Sequence, residues 1–286
     1  MKNISIMNRR RFLQSGALVS AALAAAIPTS TLAAVTKAPG DPFHGLKLGI
    51  ASYSLRNFPL DKALAMTQQL GIKYITLKDM HLPFKTTTAE RQEARRKVQA
   101  AGLVLMVGGV IYINNKEDEV RAQFEYVKDA GMPVMVCSPD PAALDRVEKY
   151  AREYNIRIAI HNHGPGDKRY PSPLDVLELV KNRDPLMGLC IDVGHTVRLG
   201  LDPVEVTKKC ADRLYDFHIK DVTEAAPKGG GIEVGQGVID IPAVLKSLID
   251  IKFKYHVALE YEANGDAPMP GLIGSFAFMR GVLAVI

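Results

Sequence analysis

Four segments between residues 156 and 262 decide the fold: IRIAIHNH (156–163), GLCIDVGH (188–195), LYDFHIKD (214–221) and YHVALEYE (255–262). Each holds an apolar run of strand length that closes on a residue able to ligate a metal: His161, Asp192, His218 and Glu260 in turn. Short continuous apolar runs suit strands covered on both faces. The stretches between them have helical character, and strands alternating with helices imply a parallel sheet with right-handed crossovers. A closed barrel gathers the C-terminal ends of its strands around one mouth. Four strand ends that carry ligands therefore predict one divalent ion held among them. Imidazole mixed with carboxylate suits Zn²⁺, Mn²⁺, Fe²⁺ or Co²⁺ better than Ca²⁺ or Mg²⁺.

The same alternation reaches back to the front of the chain. Runs at Leu46–Ser52, Tyr74–Lys78, Leu103–Val107 and Val134–Cys137 precede those at Arg157–Asn162, Gly188–Asp192, Leu214–Lys220 and Tyr255–Glu260, which makes eight. Between them lie amphipathic segments such as Leu60–Leu70, Thr88–Ala101, Lys116–Ala130, Ala142–Tyr154, Pro173–Asn182, Pro203–Ala211 and Ile241–Ile249. Several stop at a glycine (Gly71, Gly102, Gly131), the usual helix C-terminal residue. The expected architecture is α/β, a single (β/α)8 TIM barrel over residues 35–286 with no second domain. No glycine-rich nucleotide fingerprint follows the first strand, where SYSLRNFPL stands, so a Rossmann sheet loses its main support. The Pro- and Gly-rich stretch Asn264–Gly274 is expected to be a loop ahead of a final helix, Ser275–Val285.

Residues 1–34 are expected to be an export signal rather than part of the barrel. Asn8-Arg9-Arg10-Arg11-Phe12-Leu13 is a twin-arginine pattern, an alanine-rich run from Gly16 to Ile27 follows it, and small residues surround Ala33 and Ala34. The apolar run is short for a membrane span, which needs roughly 20 residues. The alternative is an uncleaved signal that tethers the protein. Cleavage implies a periplasmic protein with no stable membrane insertion. Lys2 and the three arginines, with no acid beside them, account for all but one unit of the formal charge of +5. A nearly neutral remainder gives no support for a nucleic-acid partner. Cys137, Cys190 and Cys210 are odd in number and form no CxxC pair, so buried free thiols are expected.

Around the four ligands stand further candidates. His163 lies two residues beyond His161 and shares its strand face, so either can be the fifth-strand ligand, with His163 otherwise facing substrate. His195 can contact a substrate oxygen or orient Asp192. Lys220, two beyond His218, either points inward to neutralise an oxyanion or faces solvent. Glu262 stands in the same relation to Glu260, as a supporting carboxylate or a rim residue. Lys78 and His81 after the second strand, and Tyr53 and Arg56 after the first, are candidates for the far wall of the pocket. The loop GGIEVGQGVID (230–240) either closes over a substrate or merely connects.

Taken together, LGIASYSLR, HNHGP, IDVGH, FHIKD, VGQGVID and ALEYE occur in an order that resembles the xylose-isomerase-like barrel superfamily, in its sugar phosphate isomerase/epimerase branch. The resemblance spans essentially all of the chain after the signal. It implies a metal-dependent enzyme for a small sugar, with ligands Glu, Asp, His and Glu on strands five to eight. Asp192, His218 and Glu260 match that set, whereas His161 stands where the family commonly has Glu, and Thr76 where many members have a second-strand glutamate. Family epimerases use two metal-bound carboxylates, one on each face of the substrate. Here only Glu260 remains as an obvious base. That points to one-base chemistry next to a carbonyl: isomerisation, or β-elimination from a 3-keto-glycoside. Export argues for a non-phosphorylated sugar or keto-sugar. Such barrels often pair, which leaves a homo-oligomer open, and a non-catalytic sugar-binding protein is the third reading. The related endonuclease IV group needs additional histidine ligands, and no paired histidines mark strands two and three.

Overall fold

The computed structural model describes residues 41–286. The export signal expected at 1–34 lies outside them. The barrel strands are β1 (Lys47–Ala51), β2 (Tyr74–Leu77), β3 (Val104–Ile113), β4 (Val134–Pro139), β5 (Arg157–His161), β6 (Met187–Asp192), β7 (Leu214–Ile219) and β10 (His256–Leu259). All neighbouring pairs are parallel. The order β1-β10-β7-β6-β5-β4-β3-β2 closes on itself, a TIM barrel. Two short strands, β8 (Asp221–Val222) and β9 (Gly231–Ile232), form an antiparallel ribbon beyond the barrel rim.

Local sequence explains the helices that wrap the barrel. The helix Thr88–Ala100 opens with a capping box between Thr87 and Glu90. Leu144–Tyr154 ends at Asn155 in the left-handed region. Ser172, Asp202 and Asp240 cap the helices that begin at Pro173, Pro203 and Ile241. One apolar layer packs between helices and strands, with Phe124, Tyr150, Phe217 and Phe276 among its largest side chains. A smaller cluster fills the barrel interior: Met106, Val107, Val134, Val136, Ala159, Cys190 and Tyr215. The Arg157 guanidinium lies 5.8 and 5.4 Å from the Tyr215 and Tyr255 rings at the N-terminal end of the strands. All three cysteines are buried free thiols. No helix among the described residues is long and apolar enough to cross a membrane.

Two expectations need correction. The final helix runs Met269–Leu283, so it starts well before Ser275. A proline in a first helical turn loses no hydrogen bond, and Gly271 is the residue that packs on Tyr261, where a Cβ would stand 2.4 Å from the phenol oxygen. The third strand does not stop at Val107. It runs on through Gly108-Gly109 to Ile113, with a register shift at the diglycine. That extension carries Tyr112 out to the rim, where it is 57% exposed.

Candidate metal centre

β5 ends on His161 and β6 on Asp192. His218 lies one residue inside the end of β7, and Glu260 directly follows β10. The register pairs Asp192 with His218, which brings the neighbouring strand ends level. One donor atom from each of the four side chains falls within 4.8 Å of every other. His161 Nε2 is 3.1 Å from His218 Nδ1 and 3.6 Å from Asp192 Oδ2. His218 Nδ1 is 4.0 Å from Asp192 Oδ2 and 3.4 Å from Glu260 Oε2. Ligands roughly 2.1 Å from one ion stand about 3.0–3.4 Å apart in octahedral or tetrahedral geometry, so this set could close on an ion with little movement.

The second coordinate of fit is charge. Asp192 is fully buried, and its Oδ2 has no hydrogen-bond partner although Lys220 Nζ lies 2.9 Å away. Lys220 is itself buried, 2.8 Å from Glu260 Oε2 and bonded to Glu262. Three carboxylates facing one ammonium leave two negative charges; a protonated His218 offsets one of them in the metal-free protein, and a divalent cation that took the place of that proton would balance both. Burial pushes His161 down to about 3, so it is neutral and its lone pair is free at neutral pH. Burial also opposes charge on His218, but Glu260 and Asp216 outweigh it and raise His218 to about 10. Burial works against charge on Asp192 and Glu260, yet Lys220 with the neighbouring histidines holds both well below the usual carboxylate range.

The surroundings of Asp192 were only partly legible in the sequence. Its Oδ1 accepts from the His195 backbone N–H at 2.9 Å, capping a short helix, Val193–Arg198. Its own N–H donates to Asn162 Oδ1 at 2.8 Å. The His195 ring meanwhile sits 6.1 Å from His161 and 6.0 Å from His163, so the residue both orients Asp192 and faces the pocket. Arg198 Nη1 lies 3.3 Å from His195 Nδ1, which assigns the ring proton to Nε2.

His163 is not among the four converging donors. Its ring turns toward the rim, with Nε2 3.4 Å from the Tyr112 hydroxyl and Nδ1 3.7 Å from Asp167. Lys78 is half-buried, its ammonium 4.3 Å from the Tyr53 ring centroid, and Arg56 covers the same ring at 4.9 Å. His81 does not line the pocket. It is buried, with Nδ1 3.0 Å from Ser52 Oγ and Nε2 3.0 Å from the Phe58 carbonyl, so both ring nitrogens are used in joining two loops. The loop 230–240 is neither a free lid nor a slack connector. Buried Asp221 accepts from the backbone N–H groups of Gly235, Gly237 and Ile239, and Ser275 Oγ accepts from Val234 N. Sequence reading missed Asp221; the acid that follows Lys220 was its only signal. A separate cleft of about 300 Å³, lined by residues such as Arg95, Gln99 and Leu103, opens at the opposite, N-terminal end of the strands. Barrel chemistry does not occur at that end.

Fold and site together define a class, and comparison with known proteins agrees. Residues 142–281 match the family model described as a xylose isomerase-like TIM barrel. The match covers just under half of the chain, and the closed barrel of the described residues agrees with that description. The inosose dehydratase of Clostridium tetani (strain Massachusetts / E88) is 29% identical over 137 residues, covering 42% of this chain and 45% of that protein. At this level the chain spans about half the length of the curated relatives it matches. Among solved structures, an uncharacterized protein from Parabacteroides distasonis ATCC 8503 is 26% identical with TM-score 0.65, over 82% of this chain and 98% of that one. The 3-keto-D-glucoside 4-epimerase of E. coli has TM-score 0.67 over 82% and 99% of the two chains, at 14% identity, a likeness of fold.

Proposed function

We propose that this protein is a sugar-converting enzyme that holds one divalent metal ion on His161, Asp192, His218 and Glu260 and removes a proton next to a substrate carbonyl. The observation that carries the reading is the convergence of two imidazoles and two carboxylates at the barrel mouth, where buried Asp192 Oδ2 faces His161, His218 and Lys220 together. A bound ion of the Mn, Zn, Co or Fe type supplies Lewis-acid polarisation of the carbonyl.

Glu260 is the base. It is ionised, and Lys220 beside it holds positive charge where an oxyanion would form. His195, with its proton on Nε2, donates to a substrate oxygen. His161 cannot serve as a second base, because a neutral imidazole that gives its lone pair to a metal has none left for a proton. One-base chemistry therefore favours isomerisation or elimination over two-base epimerisation. The relatives named inosose dehydratase favour elimination: loss of water β to a carbonyl begins with the same proton abstraction. Loss of an alcohol from a 3-keto-glycoside differs only in the leaving group. The twin-arginine pattern supports a periplasmic enzyme and a non-phosphorylated substrate.

The test is hydrogen exchange in D₂O with an inosose, a 3-keto-glucoside and a free ketose, using manganese-loaded wild type and Glu260→Gln. Wild type should incorporate deuterium next to the carbonyl of at least one compound, and the variant should not. Sugar binding without exchange in both proteins would favour a non-catalytic binding protein.

A further inference from the structure

Below the four donors, β7 places a second acid inside the barrel. Side chains two apart on a strand share a face, so Asp216 points inward beneath His218. Barrel interiors are ordinarily filled by branched apolar side chains, and the neighbours here include Val134, Val136, Ala159 and Cys190. Asp216 is fully buried among them. A carboxylate in such a place is costly unless it is paired.

Its partners form a column that descends from the site. Asp216 Oδ2 accepts from Cys190 Sγ at 3.6 Å and lies 3.3 Å from His218 Nε2, a buried nitrogen with no aligned hydrogen bond. Asp216 Oδ1 is 3.8 Å from His256 Nδ1, which lies 3.0 Å from Thr76 Oγ1. His256 is also fully buried, and it fits only because Gly49 on the adjacent strand has no side chain. A Cβ there would stand 2.4 Å from His256 Nε2. A histidine, a threonine and an aspartate from three strands thus form one buried polar column.

The column bears on which nitrogen His218 offers. Its Nδ1 faces Asp192 and Glu260, while its Nε2 faces Asp216. An imidazole that binds an ion through Nδ1 carries its proton on Nε2, and that N–H needs an acceptor. His161 has no such support: it offers Nε2, and its Nδ1 has no partner. We propose that Asp216 is the positioning residue of this centre, accepting from His218 Nε2–H so that the Nδ1 lone pair is aimed at the ion, with His256 and Thr76 steadying the carboxylate. The inference rests on the metal reading above.

The experiment measures zinc affinity by chelator competition and the visible spectrum of the cobalt-substituted protein, for wild type, Asp216→Asn and Asp216→Ala, alongside melting of each metal-free protein. Asp216→Ala should bind zinc about 10–100-fold more weakly and shift the cobalt spectrum. Asp216→Asn keeps an acceptor oxygen and should fall between the two. A lower melting temperature with unchanged zinc affinity and an unchanged cobalt spectrum would make Asp216 purely structural and overturn the proposal. Should Asp216→Ala fail to fold, ¹⁵N-resolved NMR of zinc-loaded wild type decides: His218 should carry its proton on Nε2, and a proton on Nδ1 overturns the assignment. Absence of zinc binding by wild type itself would instead defeat the metal reading on which the inference stands.

Discussion

The two halves of the barrel share one architecture and differ in what their strands end on. β5, β6, β7 and β10 deliver His161, Asp192, His218 and Glu260 to one point. β1 and β2 lead into Ser52, Tyr53 and Lys78, and β3 and β4 end at Ile113 and Pro139, none of them part of a described donor cluster. The first half instead carries aromatic contacts, Tyr53 under Lys78 and Arg56 and Tyr112 beside His163, which we propose as the far wall of the pocket. One side of the mouth gathers metal-ligand types, and the other pairs aromatic rings with cations. A fold that repeats one unit eight times leaves each strand end free to carry a different residue, so asymmetry of function costs the barrel nothing in packing.

The largest effect that tests this division is on turnover. Glu260→Gln should lower it about 10²–10⁴-fold, whereas Lys78→Met on the opposite wall should change mainly KM. Equal losses in kcat from both would dissolve the distinction. Next comes Asp221→Ala. It strips the acceptor from Val222, Gly235, Gly237 and Ile239, and buried donors left unpaired cost about 1–3 kcal/mol each. Melting should drop by several degrees at least, about 4 °C or more, with metal affinity unchanged. An unaltered melting temperature would mean that Asp221 does not hold this loop in place.

Two histidines that look alike in sequence sharpen the contrast. His81→Ala should lower stability by about 1–3 kcal/mol and leave KM alone, because its ring joins Ser52 to Phe58. His163→Ala should raise KM about 2–10-fold, the worth of one hydrogen bond, and leave melting alone. The reverse result would mean that the wall has been assigned to the wrong residues.

The smallest effect is on pH. Burial lowers His161 to about 3 and His256 to about 4 against an ordinary 6.5, so the unfolded chain binds more protons below pH 6.5 and stability falls with falling pH there. His218 is raised to about 10, so its contribution is complete below 6.5 and is lost as pH rises toward 10. Metal-free protein should therefore be most stable near pH 6.5. Bound metal displaces the His218 proton, so the loaded protein should lose the alkaline decline and metal uptake should release a proton near neutral pH. A metal-free melting profile that keeps rising to pH 9 would contradict the charge assigned to His218.

The strand ends were legible because ligand types stood at the close of apolar runs, a signal contained within a few residues. The sequence alone does not distinguish His161 from His163, since both share a strand face and the contacts that hold the second ring at the rim, Tyr112 and Asp167, come from outside the strand. His81 misled for a related reason: its sequence position beyond β2 says nothing of Ser52 and Phe58, which reach it from another unit of the fold. Asp216 was visible as an acid in an apolar strand, two residues before His218, but its partners His256 and Thr76 come from distant strands. Proline and glycine at 268–274 read as loop residues in the sequence, although a helix start accepts the one and the Tyr261 ring accounts for Gly271.

The central claim is tested most directly by metal content, measured by mass spectrometry on purified wild type and His161→Ala side by side. The account predicts close to one transition-metal ion per chain in wild type and a sharp loss in the variant. No metal in wild type after reconstitution, or full occupancy in both, would contradict it: the first removes the centre, and the second removes His161 from it.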